Sequence, residues 1–416
     1  MFPLRVSLFL LIGSVAFGQD RPVALRGALI ETVGEAGRID PGTIVFRDGK
    51  IEAVGPVDEV EIPEDARVID STGLTILPGL VEPAHRISLA SGGGGGSGER
   101  TIVIRGQTVT LPAGGGPGRG GAFTKVADAF DPYRNDFADL LRSGLTHLNL
   151  VTRDHGQAAL ARITPDRPDA MIAEPDGVLF ASLTNTTPSL NVVRSGLESA
   201  ARRRPTGSAG RQGETREGAG SGSASAAAST ASPAADLWRA VREGKAPLLI
   251  DANNAASILY LLNLLKDHPD VPLILIASGS DIYHTIDQIK GRKVSVVLRP
   301  TIDRVPYSDN RINIPRMVHE AGIDLAFTTS ADRGALRFSQ DSPLFPVAML
   351  VKAGLPRDVA LEALTRRPAV MLGLDEALGS IEPGKSASLL IFDGDPFDPY
   401  SRLQQVLIEG STVYED

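Results

Sequence analysis

Across the middle of the chain, short apolar runs alternate with stretches of helical periodicity. The runs fall at 145–151, 178–183, 247–250, 271–276, 294–298 and 323–328. They are too short for helices and rich in apolar residues, as in the strands of a parallel sheet covered by helices. Helical spacing follows at 255–266, 282–289 and 357–365, the last opened by Pro356, a residue favoured in a first helical turn. Alternation of this kind predicts βα units, and six visible strands with room for two more suit a closed (β/α)8 barrel better than an open sheet.

The two ends of the chain have a different texture. Residues 42–55 read as two strands around Asp48-Gly49, because Asp-Gly supplies the positive φ angles of a tight hairpin. A further strand ends at Val68-Ile69-Asp70, before the turn Ser71-Thr72-Gly73. Strand-like runs return at 388–393 and 405–409, so the ends are expected to form one small β-sandwich. The expected organisation is a leader at 1–18, a composite β domain from 19–77 plus 379–416, and a barrel at 78–378. Two Gly-rich insertions, 91–121 and 205–235, interrupt the barrel. Such composition buries too little apolar surface to offset backbone entropy, so these segments read as flexible loops. A phosphate-binding loop is disfavoured there, since no Gly-Lys-Ser/Thr ending is present.

Composition narrows the classes. The chain has 416 residues, 42% hydrophobic and 22% charged, with a formal net charge of -8. An acidic balance without a concentrated basic face excludes a nucleic-acid footprint. Arg5, an apolar run over 6–17 and the small-residue exit at Gly18 describe a secretory leader cleaved near Gly18, so a periplasmic or secreted location is expected. A retained N-terminal anchor is the alternative. The chain contains no cysteine, which removes disulfides, thiolate ligands and cysteine nucleophiles. No Gly-x-Ser-x-Gly elbow supports a serine nucleophile either.

One set of motifs is more specific. Val68-Ile-Asp-Ser-Thr-Gly-Leu-Thr-Ile-Leu-Pro-Gly-Leu-Val-Glu-Pro-Ala-His-Arg86 resembles the way into the barrel in the metal-dependent amidohydrolase superfamily, where a Pro-Gly-Leu-Ile-Asp turn precedes a His-x-His strand. Arg367-Pro368-Ala369, Leu372-Gly373-Leu374, Gly379-Ser-Ile-Glu-Pro-Gly-Lys385 and Asp393-Gly-Asp-Pro396 resemble its exit. The middle is most similar to the imidazolonepropionase-like branch. The resemblance implies a (β/α)8 barrel with a small β-sandwich, and a reaction in which imidazoles and carboxylates at the strand ends hold one or two divalent metals that activate water.

Position by position, the ligands expected from the resemblance are replaced. Alignment on Pro78-Gly79-Leu80 puts the His-x-His pair at Ala84 and Arg86, with His85 pointing away from the barrel axis. The metal-bridging lysine falls on Leu179. Histidines of the fifth strand fall on Asp251 and Asn253, the sixth-strand His-Gly pair on Ser278-Gly279, and the eighth-strand aspartate on Ser330, with Asp332 two residues beyond. Arg86 and Asp251 are expected to converge as an ion pair in the former metal cavity, because an isolated buried charge there would be costly. His147 and His155 are expected near the mouth, where they either contact a ligand or serve structure; His268, His284 and His319 form no pair at ligand spacing. Trp238 is expected to pack a helix against the barrel.

The leading expectation is an amidohydrolase-fold protein without metal-dependent hydrolysis and without a cofactor, acting in ligand binding, structure or regulation. The expected partners are a small molecule at the barrel mouth and a second chain, either another copy or an active homologue. The alternative is a hydrolase of non-peptide carbon–nitrogen bonds in cyclic amides, using Asp251, Asp332, His147 and His155 and one divalent metal, zinc. A third reading is an exported scaffold whose Gly-rich loops act as tethers or lids.

Overall fold

The structure, a computed structural model, describes residues 21–87, 100–104, 107–111, 123–133, 137–183, 187–201, 233–305, 307–329 and 344–416. The leader, most of both Gly-rich insertions, Ser330 and Asp332 lie outside them. Five strands come first: β1 (Val23–Glu31), β2 (Arg38–Arg47), β3 (Lys50–Pro56), β4 (Arg67–Asp70) and β5 (Thr75–Pro78). Asp48 and Gly49 form the hairpin turn that the dipeptide predicts, at φ 49° and 78°, with β2 and β3 antiparallel across it.

The chain then enters β6 (Leu80–Arg86), followed by the antiparallel pair β7 (Arg100–Ile104) and β8 (Gln107–Leu111) inside the first insertion. The next strands are β9 (Thr124–Lys125), β10 (Leu145–Val151), β11 (His155–Gln157), β12 (Ala159–Arg162) and β13 (Ile172–Glu174). They lead to β14 (Leu179–Leu183), β15 (Leu248–Ala252), β16 (Leu273–Ala277) and β17 (Val294–Leu298). A small hairpin, β18 (Asp303–Arg304) and β19 (Arg311–Ile312), precedes β20 (Leu325–Phe327). β21 (Leu389–Phe392), β22 (Leu403–Ile408) and β23 (Ser411–Glu415) complete the chain.

Both chain ends meet in one eight-stranded sheet, ordered β23-β22-β21-β5-β1-β2-β3, with β4 paired to β1. Its apolar core includes Leu25, Ile30, Ile44, Ile76, Leu389 and Leu407, drawn from early and late strands alike. The composite β domain implied by the two ends is therefore a single hydrogen-bonded unit.

The barrel departs from eight parallel strands at one place. β14, β15, β16, β17 and β20 are parallel neighbours, and β6 pairs parallel with β10. Between β10 and β14 stands the near-continuous segment β11–β12, which runs antiparallel to both. This reversed segment is the third of eight staves and joins the two sheets. Opposite it, β20 and β6 are linked by the Glu82 side chain, whose Oε2 accepts from Thr329 N at 2.8 Å and Thr329 Oγ1 at 3.2 Å.

Packing divides the staves into two faces. Ala84, Val151, Ala158, Phe180, Leu249, Ile276, Val297 and Ala326, one from each stave, form a cluster that fills the barrel interior, with Met371 inserted from the helix Arg366–Leu372. Their neighbours Leu179, Ile250, Leu275, Leu298 and Phe327 join the core between strands and helices. This alternation fixes which side chains can reach the mouth. Trp238 belongs to the helix-side core and lies over Gly196 of the helix Thr187–Ala201, where a β-carbon would come within 2.2 Å of the indole. Its main role is thus to seat one helix on another. No helix among the described residues is long and apolar enough to cross a membrane.

Candidate functional site

The C-terminal ends of parallel barrel strands form the mouth where this architecture places its chemistry. Arg86 closes β6 on the same face as Ala84, and Asp251 follows Leu249 inward on β15. Across the interior the two side chains meet, Arg86 Nη2 pairing with Asp251 Oδ2. The other oxygen, Asp251 Oδ1, accepts from Ser278 Oγ at 3.0 Å. Three positions that align with metal ligands in the resembling family therefore converge on one another. The Asp251 side chain is 7% exposed and that of Arg86 48%, so the carboxylate is sunk in the barrel while the guanidinium reaches up from it. Partial burial, and then the charge of nearby Arg153, hold the Arg86 guanidinium below its ordinary range.

The loop after β16 is held close to the site. Gly279 lies against the Asn253 carbonyl, where a β-carbon would sit 2.3 Å from the oxygen, so any side chain there would displace Ser278 from Asp251. Asp281 Oδ2 accepts from Ala255 N at 3.0 Å, and Asn254 caps the helix Ala255–Leu264 by accepting from Ser257 N. Arg299 Nη2 donates to Ser278 O at 2.8 Å. A cavity of about 20 Å³ beside Ser278, Arg299, Thr301 and Asp303 has room for a water and no more. An organic ligand would have to sit above the ion pair, in the mouth. Asp303 is pushed up by burial, against the opposing charge of Arg299.

The remaining expected positions separate from this centre. Leu179 is a correction: it packs on the helix side of β14, and the residue in register with Asp251 is Ser182. Asn253 is exposed just past β15 and accepts from Asn254 Nδ2 at 3.1 Å. His147 is not at the mouth. It is the third residue of β10, in register with Val81 near the opposite end of β6, fully buried, with Nδ1 3.0 Å from Thr146 Oγ1. Burial, reinforced by the Arg162 charge, pushes its pKa down to about 3. His155 stands opposite Ala181, whose side chain faces the helices, so it points away from the interior. Burial lowers its pKa, against the charge of Asp154. Of the four residues considered for a rearranged hydrolytic site, only Asp251 lies at the mouth among the described residues.

Glu82 is a residue the sequence reading passed over. It is fully buried in β6 and holds its carboxylate on Ala84 N and Thr329. A carboxylate inside an otherwise apolar strand was the available signal. A larger cleft, about 560 Å³, lies at the other end of the barrel among Asp48, Thr164, Arg167, Glu409 and Thr412. None of the expected site residues lines it.

The donor set decides what the mouth can hold. A divalent metal in such a barrel needs several imidazole or carboxylate lone pairs at one point. Here Ala84 offers none, Arg86 brings positive charge, and both Asp251 oxygens are engaged. Among the described residues no group of three or more His, Asp or Glu side chains is placed to hold a metal ion. The described residues do not fit the metal centre that the resemblance implies.

The fold is a barrel of eight staves with an attached β sheet, and solved structures share it. A solved amidohydrolase from Thermotoga maritima MSB8 superposes with a TM-score of 0.71 at 20% identity, covering 95% of this chain and 100% of that one. The beta-aspartyl dipeptidase of Fervidobacterium islandicum AW-1 superposes with a TM-score of 0.54 at 14% identity, covering 96% and 97%. Sequence adds to this: residues 259–413 match the amidohydrolase family. An imidazolonepropionase of Symbiobacterium thermophilum is 42% identical over 64 residues, a stretch spanning 14% of this chain and 15% of that protein. The family match is confined to the C-terminal part of the chain, which is there similar to the amidohydrolase family.

Proposed function

We propose that this chain is an amidohydrolase-fold protein that has exchanged metal-dependent hydrolysis for ligand binding in a structural or regulatory role. The observation carrying this reading is the Arg86–Asp251 pair at two former ligand positions, with Ser278 on the second carboxylate oxygen. A guanidinium in that place repels a divalent cation and also occupies the carboxylate that would bind it. The rival reading, hydrolysis of cyclic amides through a rearranged site drawn from Asp251, Asp332, His147 and His155, has less support, because among the described residues only Asp251 of these lies at the mouth. An exported location and a paired second chain, another copy or an active homologue, complete the proposal.

Ring opening of a panel of cyclic amides, followed by absorbance on the full chain with and without added zinc, tests the proposal. Turnover indistinguishable from buffer in both conditions is expected. Zinc-dependent ring opening that vanishes in an Asp251→Asn variant would overturn it.

A further inference from the structure

Seven of the eight seams of the barrel are backbone ladders: β6–β10, β10–β12, β11–β14, β14–β15, β15–β16, β16–β17 and β17–β20. The eighth, β20–β6, has none among the described residues, although 80–87 and 323–329 are all described. The sequence supplies a reason. Pro83 has no N–H to donate, and proline in a sheet belongs on a strand with an open edge. Its carbonyl accepts instead from Asn149 Nδ2 of β10, at 2.9 Å.

What crosses the seam is the Glu82 carboxylate. Oε1 accepts from Ala84 N of its own strand at 3.2 Å, and Oε2 accepts from Thr329 N at 2.8 Å and Thr329 Oγ1 at 3.2 Å. One side chain, 0% exposed, thus takes the place of a ladder. Every other seam is zipped by several backbone bonds that must break together. Here the bonds converge on a single group, and a carboxylate is far better solvated outside an apolar interior than inside it, so water compensates for the bonds it loses. Opening therefore costs least at this seam. It also lies where movement matters. Arg86 stands four residues beyond Glu82 on the same face of β6, so a displaced β6 withdraws the guanidinium from Asp251 on β15.

We propose that the β6–β20 seam is a conformational switch latched by Glu82, and that its opening separates Arg86 from Asp251. Glu82 is then a positioning residue that acts on the mouth through Arg86. The opening depends on the seam alone, whereas its effect at the mouth rests on the metal-free reading above.

Amide exchange of the full chain, read residue by residue by fragmentation mass spectrometry, tests it. The Ala84 and Thr329 amides are expected to exchange at least about tenfold faster than the ladder amides of β15 and β16. Glu82→Gln keeps the shape of the side chain but sets an amide donor against one of the two N–H groups. It is expected to speed both amides a further several-fold while β15 and β16 stay unchanged. Phenylglyoxal, which modifies guanidiniums, is expected to react with Arg86 several-fold faster in that variant than in the wild type, and with the exposed Arg402 at the same rate in both. Where Glu82→Gln does not fold, Thr329→Ala, which removes one hydroxyl donor, is expected to give a smaller change at the same positions. Ala84 and Thr329 as protected as β15, exchange that rises in all strands together, or an Arg86 whose reactivity does not follow the two amides would overturn the proposal. Added zinc that alters Arg86 reactivity in the wild type would overturn the metal-free reading and leave the latch standing.

Discussion

At the scale of single residues, Asp251 is a buried carboxylate whose two oxygens are each given a donor, and among the described residues Arg86 supplies the cationic one. Removing the guanidinium leaves a charge in an apolar interior with one hydroxyl for company, a loss larger than the intact pair contributes. Because half of the Arg86 side chain is solvated, the cost is scaled down from that of a fully buried pair. Arg86→Met is expected to destabilise the fold by about 2 kcal/mol in urea denaturation, and Arg86→Met with Asp251→Leu to recover most of it. A stable single variant, or a double variant worse than the single, would contradict the pairing. Both residues were legible in the sequence: Pro78-Gly79-Leu80 fixes the phase of β6, and the aspartate in the run Leu248-Leu-Ile-Asp251 marks the end of an apolar strand. Leu179, three residues short of Ser182 and on the other face of β14, was misplaced for a physical reason. The run 178–183 is apolar on both faces, so no alternation sets its phase.

At the scale of elements, six parallel staves were visible as apolar runs because helices cover one side and the barrel interior fills the other. The reversed third stave was not. β11 and β12 are short, and Gly156-Gln157 interrupts any apolar run, so nothing in the sequence states their direction. Strand ends were equally hard to orient. His147 lies within a run predicted correctly over 145–151, yet periodicity does not say which end of a strand faces the mouth. Its position has a measurable consequence. In the folded chain His147 stays neutral down to about pH 3, whereas unfolded it takes a proton near the ordinary value of 6.5. The unfolded state therefore binds more protons in that window, and stability falls as pH drops from about 6.5 towards 3, by up to about 1.4 kcal/mol per unit. The carboxyls of Asp395 and Glu382, held below their ordinary range, lose their contributions only further down. Urea midpoints between about pH 6.5 and 4.5 should thus decline in the wild type and decline less in His147→Gln. The residue left in that slope would come from His155, whose pKa is lowered in the same direction. Equal slopes in both proteins would contradict the buried placement.

At the scale of the whole molecule, the two chain ends close one sheet while the middle closes a barrel, and Arg162 on β12 joins Glu409 beyond β22 where the two meet. The sequence texture announced this division, since turn-punctuated strands at both ends contrast with βα alternation between them. The architecture keeps a mouth lined by polar and charged groups, and their identity, rather than the fold, determines its chemistry. Zinc content of the full chain, produced with zinc supplied, dialysed and measured by mass spectrometry, tests that conclusion most directly. The ion-paired mouth predicts a chain that retains almost no zinc and melts at the same temperature with or without a chelator. Close to one zinc per chain, removed by chelation with a fall in Tm, would contradict it.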